Sequence, residues 1–292
     1  MKYLNVSETA KKWGVSERSV RFYCSENRVD GAILKGKTWY IPEIADKPVR
    51  LERKKLLDTL LWEKNNGISG GIYHQLQVDL TFNSNHIEGS TLTHDQTRYI
   101  FETNTIGGFS KATIKVDDIV ETTNHFRAID IIIETANKPI SQDLIKLLHF
   151  ILKNGTSDSR KNWFRVGDYK LHPNQVGGRE TTPPNLVKEE LCALIKAYNQ
   201  IKKPTLEDIL EFHYKFEVIH PFQDGNGRIG RLIMLKECLK NGIIPFIIDE
   251  SLKFFYYRGL AEWRNEKGYL KDTCLAAQDK FKGMMDYYKI RI

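Results

Sequence analysis

Residues 220–231 read His-Pro-Phe-Gln-Asp-Gly-Asn-Gly-Arg-Ile-Gly-Arg. Just upstream, Leu206, Ile209, Leu210, Phe212, Phe216 and Ile219 recur at the spacing of one helical face, which predicts a helix over 205–219 with His220 at its end. The Gly-Asn-Gly turn leads straight into a second predicted helix beginning near Asn226. Backbone N–H groups of Gly225, Asn226 and Gly227, at the start of that helix, would point into one concavity, which is how proteins bind phosphate. Arg228 and Arg231, three apart on its first turn, are expected to share a face beside the concavity. Asp224 offers one carboxylate, which suffices for Mg²⁺ or Mn²⁺ when phosphate oxygens and water complete the shell. His220 titrates near neutral pH and can take a proton from an attacking hydroxyl. Phe222 would point inward and anchor the loop. These parts describe metal-assisted transfer between a phosphate chain and an alcohol.

Working outward, the pattern from residue 49 on is overwhelmingly helical. Helices are expected over 49–64, 72–87, 93–102, 116–136, 141–153, 184–201, 205–219, 226–240 and 251–263, with a last one from about 270. Glycine clusters such as 65–71 and Gly107-Gly108 punctuate them. One stretch departs from the rule. Between Trp163 and Pro184, β-formers flank His172-Pro-Asn174, which predicts a hairpin over Phe164–Gly178 with His172 at its tip as an ordinary loop residue. His213 lies seven residues before His220 and is expected to be a hydrogen-bonded core histidine, because no His-Glu-x-x-His spacing supports a zinc site.

The chain has 292 residues, 41% hydrophobic and 28% charged, and a net charge of +7. These values suit a folded globular protein with one large core and one small appended module. Residues 1–50 hold ten Lys or Arg against six Asp or Glu, a net of +4, so over half of the excess lies in about one sixth of the chain. Cys24, Cys192, Cys238 and Cys274 never pair as Cys-x-x-Cys, which argues against a zinc site and a disulfide framework. No uncharged apolar stretch approaches ~18 residues and the start lacks the apolar run of a signal peptide. The expected location is the cytoplasm, with no membrane partner.

In the first segment, Ser7 opens a helical pattern to Trp13, Gly14 breaks it, and Ser16 opens a second helix to about Asn27, presenting Arg18, Arg21 and Tyr23 outward. Gly31 to Pro42 then alternates like a small hairpin. Val6 to Arg21, followed by Gly36-Lys-Thr-Trp-Tyr-Ile-Pro42, resembles the winged helix-turn-helix modules of excisionase and MerR type. The resemblance implies a DNA-binding head over 1–48, with Arg18, Arg21 and Lys37 among the contacts; a solvated basic face is the alternative.

The string His220-x-Phe222-x-Asp224-Gly-Asn-Gly-Arg228-x-x-Arg231 resembles, at every position, the signature of the Fic family. The resemblance covers residue 51 to the C-terminus and implies a mainly α protein, an all-helical domain over 49–292 with a β-hairpin flap. It implies AMP transfer from ATP to a Ser, Thr or Tyr hydroxyl of a target protein, the chain itself included, with release of pyrophosphate. His220 would be the general base and Asp224 the ligand of Mg²⁺ or Mn²⁺. Gly225, Asn226, Gly227 and Arg228 would fix the phosphates and Arg231 the γ-phosphate. Tyr256, Tyr257 and Asn265 would line the adenine pocket, and the flap at 164–178 would pair with the target segment by its backbone.

Ser84-Asn-His-Ile-Glu88-Gly89 resembles the Fic inhibitory motif. On an expected helix around 72–89, Ser84 and Glu88 share a face, and Gly89 can stop the helix. The resemblance implies that Glu88 pairs with Arg231 in place of the γ-phosphate, a self-inhibited state. Alternatives at this point are removal of AMP with Glu88 positioning a water, and a DNA-binding regulator whose Fic body only senses nucleotide. A second copy of the chain stands open as a partner.

Overall fold

The computed structural model describes residues 2–48, 55–106 and 113–292. The expected helix start at 49–54 and the breaker Gly107-Gly108 lie outside the described residues. The chain divides into two compact units, Met1–Arg53 and Lys54–Ile292. Among the described residues it has twelve α-helices and two small sheets, the mainly helical class that the periodicity predicts.

In the first unit, helix α1 (Val6–Trp13) is capped by Asn5, whose side chain accepts from Glu8 N–H while Glu8 answers in a capping box. The start thus lies one residue before the expected Ser7. Gly14, at φ 64°, ends α1 in the left-handed conformation. Ser16 caps α2 (Glu17–Ser25). The expected hairpin forms as β2 (Ile33–Lys35) and β3 (Thr38–Pro42), but β1 (Tyr3–Asn5) adds a strand on the far side of β3, pairing Leu4 with Ile41. Three strands are needed because a lone hairpin is marginal in water. Arg18, Arg21 and Lys37 are exposed, with Arg21 paired to Glu17 at 2.8 Å. Tyr23 does not face outward: it is buried with Val6, Trp13, Val20 and Ile41, because it falls on the α2 face that meets α1.

The second unit is a helical body. It comprises α3 (Leu56–Asn65), α4 (Ile72–Ile87), α5 (His94–Thr103), α6 (Val116–Glu134), α7 (Gln142–Lys153), α8 (Val187–Asn199), α9 (Leu206–Ile219), α10 (Asn226–Asn241), α11 (Glu250–Glu262) and α12 (Gly268–Tyr287). Four of the ten starts have a side-chain cap: Thr93, Ser141, Thr205 and Asp249 cap α5, α7, α9 and α11. Helix α10 is the axis of the body, buried on all sides from Arg228 to Leu239 and packed against α4, α6, α7 and α9. A helix sealed on every face belongs in the middle of a core, and its charged side chains must then find partners there. Lys236 and Glu237, buried within it, pair with each other at 2.9 Å, and Lys236 also donates to the carbonyl of Ala136.

The hairpin lies later than the sequence predicts. Strands β4 (Gln175–Val176) and β5 (Arg179–Glu180) turn on Gly177-Gly178, at φ 57° and 76°. Two consecutive positive φ values are what a two-residue hairpin turn demands, and glycine adopts them without strain. His172 therefore sits before the hairpin rather than at its tip. No helix among the described residues is long and apolar enough to cross a membrane, and all four cysteines are free.

Candidate active site

Helix α9 ends at His220, which adopts φ 49° and ψ 65° and whose N–H closes on Phe216 O at 2.8 Å. A left-handed cap turns the chain sharply and histidine is one of the few side chains that tolerates it. The following loop is tied down by amides. Phe222 is fully buried; its N–H donates to Asn226 Oδ1, and its carbonyl accepts from Asn226 Nδ2 and from Asn174 Nδ2. The side chain of Asn226 thus builds the loop and does not face a ligand; what Asn226 offers a phosphate is its backbone N–H. Gly225, at φ 84°, starts α10 with no side-chain cap and no acidic residue in the first turn. The N-terminal N–H groups of a long helix are left to an anion.

Four helices deliver charge to that point. From α6 comes Glu121, from the end of α7 Lys153, from α10 Arg228 and Arg231, and from the end of α4 Ser84 and Glu88. The two arginines part company: Arg228 pairs with Glu121 and, at 3.3 Å, with Asp224, whereas Arg231 goes to α4. Arg231 Nη2 donates to Glu88 Oε1 at 2.7 Å and to the carbonyl of Ser84 at 2.9 Å, and Nε donates to Ser84 Oγ at 3.0 Å. The same carboxylate lies over the start of α10: a Cβ added at Gly227 would stand 2.3 Å from Glu88 Oε1. Glu88 therefore pairs with the guanidinium and stands over the first turn of the helix.

Asp224 is half-exposed, with Lys153 Nζ on its Oδ2 at 2.6 Å. Burial works against its ionised form, but Arg228 and Lys153 overcome it and hold the carboxyl well below the usual range. Oδ2 is thus occupied by cations and Oδ1 is the oxygen open to a metal. One ionised oxygen suits a cation that takes its other ligands from phosphate and water, as Mg²⁺ does. Lys153 is 2% exposed and also meets Glu121 at 2.6 Å and Asp158 at 3.0 Å. Replacing it by Met leaves Glu121 and Asp224 to share one guanidinium while Asp158 keeps only Lys161; the expected cost is about 3–5 kcal/mol. In a body of this size that lowers Tm by roughly 10 °C, read by a thermal melt.

Burial, then the charge of Lys170, pushes the His220 imidazole down to about 4, so it is neutral at physiological pH. Lys170 is itself buried. It donates to Asn174 Oδ1, Thr181 Oγ1 and Ile219 O, fastening the base of the hairpin to the end of α9. The hairpin reaches the other way through Arg179, which donates to Ala261 O at 3.1 Å.

Of the pair expected in the adenine pocket, Tyr256 is core: it is 1% exposed and its hydroxyl meets His213 Nε2 at 2.6 Å. It lies on the inner face of α11, beside Arg231. Tyr257 is outward, its hydroxyl 3.5 Å from Ile87 O, beside Glu88. Asn265 bonds back to Glu262 within its own turn. Glu121, His149, Lys153, Lys170 and Glu217 were not singled out by the sequence. His149 stacks on Phe222 at 4.0 Å. Only Glu217 carried a local signal, its three-residue spacing to His220.

Residues 139–238 match the model of the Fic/DOC family. That stretch of the chain resembles a Fic domain. Protein adenylyltransferase Fic of Nematostella vectensis is 30% identical over 194 residues, covering 61% of this chain and 41% of that protein. The protein of the same name from Drosophila mojavensis is 28% identical over 192 residues, covering 61% and 35%. The chain spans about two fifths or less of the length of these relatives. Among solved structures, a Fic domain containing signaling protein from Bacteroides thetaiotaomicron has a TM-score of 0.58 at 24% identity, over 80% of this chain and 91% of that one. Fic-1 from C. elegans has a TM-score of 0.62 at 19% identity, over 80% and 72%. Both share the fold of the Fic domain and its helical surroundings.

Proposed function

We propose that this chain transfers AMP from ATP to a hydroxyl of a target protein and that Glu88 keeps it in a self-inhibited resting state. The observation that carries the reading is the double contact of Glu88, on Arg231 and over Gly227. It is an anion seated where a polyphosphate would bind. Relatives named protein adenylyltransferase Fic support ATP as the co-substrate.

In this reading the start of α10 and Arg231 hold the phosphate chain, and Asp224 holds Mg²⁺ or Mn²⁺, which supplies charge neutralisation at the phosphates. His220, neutral at pH 7, takes the hydroxyl proton while the oxygen attacks the α-phosphorus and pyrophosphate leaves. The hairpin edge at Gln175–Glu180 would pair with an extended target segment, a mode that tolerates many sequences. Tyr257 remains the candidate for adenine. The test uses ATP labelled at the α- or the γ-phosphate with the full chain carrying Glu88→Gly. Protein that gains α-label and no γ-label supports AMP transfer; γ-label on protein, or none of either, refutes it.

The two-helix and sheet unit at the N-terminus supports a winged helix-turn-helix head that docks DNA through the exposed Arg18, Arg21 and Lys37. A mobility shift of the full chain should weaken steeply with salt and diminish on Arg18→Ala and Arg21→Ala. A shift unchanged by those substitutions counts against it.

A further inference from the structure

Behind His220 runs a row of buried polar groups that the transfer scheme leaves unused. Glu217 lies one helical turn earlier on α9, with Oε2 at 3.8 Å from His220 Nδ1 and Oε1 at 3.9 Å from Nδ1 of His213. His213 in turn shares its Nε2 with the Tyr256 hydroxyl. His220 Nδ1, Glu217 Oε1 and His213 Nδ1 are all buried and make no hydrogen bond of standard geometry, although the backbone carbonyl of Glu217 as well as its carboxylate bears on the His220 ring. Helix α10 closes the space: a Cβ at Gly230 would stand 2.9 Å from Glu217 Oε1 and 2.6 Å from the His213 ring.

A dry, imperfectly bonded cluster costs stability, and an apolar packing would avoid the cost. Its position directly behind the proton acceptor suggests what it does. The His220 side chain keeps 16% of its surface exposed while Nδ1 is sealed, which leaves Nε2 as the nitrogen toward the open side. An imidazole can accept at Nε2 only when its proton sits on Nδ1, and that tautomer is set by what Nδ1 meets.

We propose that Glu217 is the positioning residue of the general base: its carboxylate holds the ring proton of His220 on Nδ1, leaving Nε2 to take the proton of the target hydroxyl. The proposal rests on the transfer reading above. In the step, the O–H bond breaks and Nε2–H forms. The oxygen's electron pair attacks the α-phosphorus, the bond to pyrophosphate breaks, and the imidazolium keeps its Nδ1–H on Glu217. A protonated Glu217 would instead donate to Nδ1 and force the proton onto Nε2, an idle tautomer.

The groups facing Glu217 are His213 and His220 on its own side, Arg231 from α10, Glu88 from α4 and Tyr256 from α11, with Lys170 facing His220. Burial first, and then the charge of Glu88, pushes the Glu217 carboxyl up to about 8, with Arg231 opposing. The resting pair of Glu88 and Arg231 thus also favours the idle form of the base.

The test compares Glu217→Leu and Glu217→Gln in the full chain carrying Glu88→Gly. Nitrogen-15 NMR of labelled histidine should show His220 protonated at Nδ1 in the parent and at Nε2 in Glu217→Leu. AMP transfer by Glu217→Leu should lose about 10–100-fold in kcat with KM for ATP within twofold. Its Tm should not fall, because an apolar side chain removes the desolvation cost of a buried carboxyl. Glu217→Gln, which can still accept from Nδ1, should keep the parent tautomer and more of the rate, but lose the rise of rate with pH that ionisation of the carboxyl produces. Unchanged His220 nitrogen shifts in Glu217→Leu overturn the proposal, whatever the rate. If the parent transfers no AMP, the activity reading falls, and the nitrogen shifts still decide the role of Glu217.

Discussion

Glu88→Gly should raise the rate of AMP transfer roughly 10–100-fold over the unaltered chain. The magnitude follows from the bond removed. A charge-assisted hydrogen bond contributes about 1.5–3 kcal/mol net, and each 1.4 kcal/mol of competition displaced is about tenfold in occupancy. Arg231 is buried and donates to Glu88 at 2.7 Å. Without the carboxylate, its Nη2 and the N–H groups around Gly227 are free for phosphate. Two readouts belong together: incorporation of α-label, and the rise in Tm on adding ATP. Loss of Glu88 takes the paired carboxylate from a buried guanidinium, so the variant should melt below the parent without nucleotide and gain more from ATP. Equal labelling and equal ATP-induced shifts in both proteins would defeat the self-inhibited reading.

The second large effect is expected at His220. In the Glu88→Gly background, His220→Asn should cut kcat by about 10²–10⁴-fold, the range that one positioned acid or base contributes. Asparagine is the fitting replacement because position 220 requires a positive φ, which it tolerates better than alanine. ATP binding, measured by calorimetry, should change little. Because burial and Lys170 hold the imidazole at about 4, the base stays neutral at physiological pH, and the imidazole itself is protonated only as pH falls through that value. A variant that retains the parent kcat would remove His220 from the chemistry.

The helical body was legible because its cause is local. The apolar repeat from Leu206 to Ile219 and the caps at Thr93, Ser141 and Thr205 are written within a few residues of the elements they define. The hairpin was misplaced because β-formers around His172 looked like strands, whereas the positive φ values at Gly177-Gly178 decide where a two-residue turn forms. The extra strand at Tyr3–Asn5 was missed because three residues carry no period; its partner Tyr40 to Pro42 lies far along the chain.

The loop at 220–231 shows the same division. A helix end, a Gly-Asn-Gly start and an uncapped N-terminus are consecutive, so their anion-binding character could be read directly from residue types and order. The side chains that govern the loop come from elsewhere: Lys153 and Glu121 on Asp224 and Arg228, Glu88 on Arg231, Lys170 beside His220. Nothing in a buried lysine's sequence neighbourhood reveals that three carboxylates will surround it. Tyr256 and Tyr257 are adjacent, yet one is sealed against His213 and the other faces out, because successive residues on a helix point about 100° apart and only the packing of α11 selects the inner one. Sequence alone thus determined the helices and the order of residue types along one continuous loop. Which side chains charge, seal or block that loop depended on helices brought together from distant parts of the chain, since Coulombic and desolvation effects act through space rather than along it.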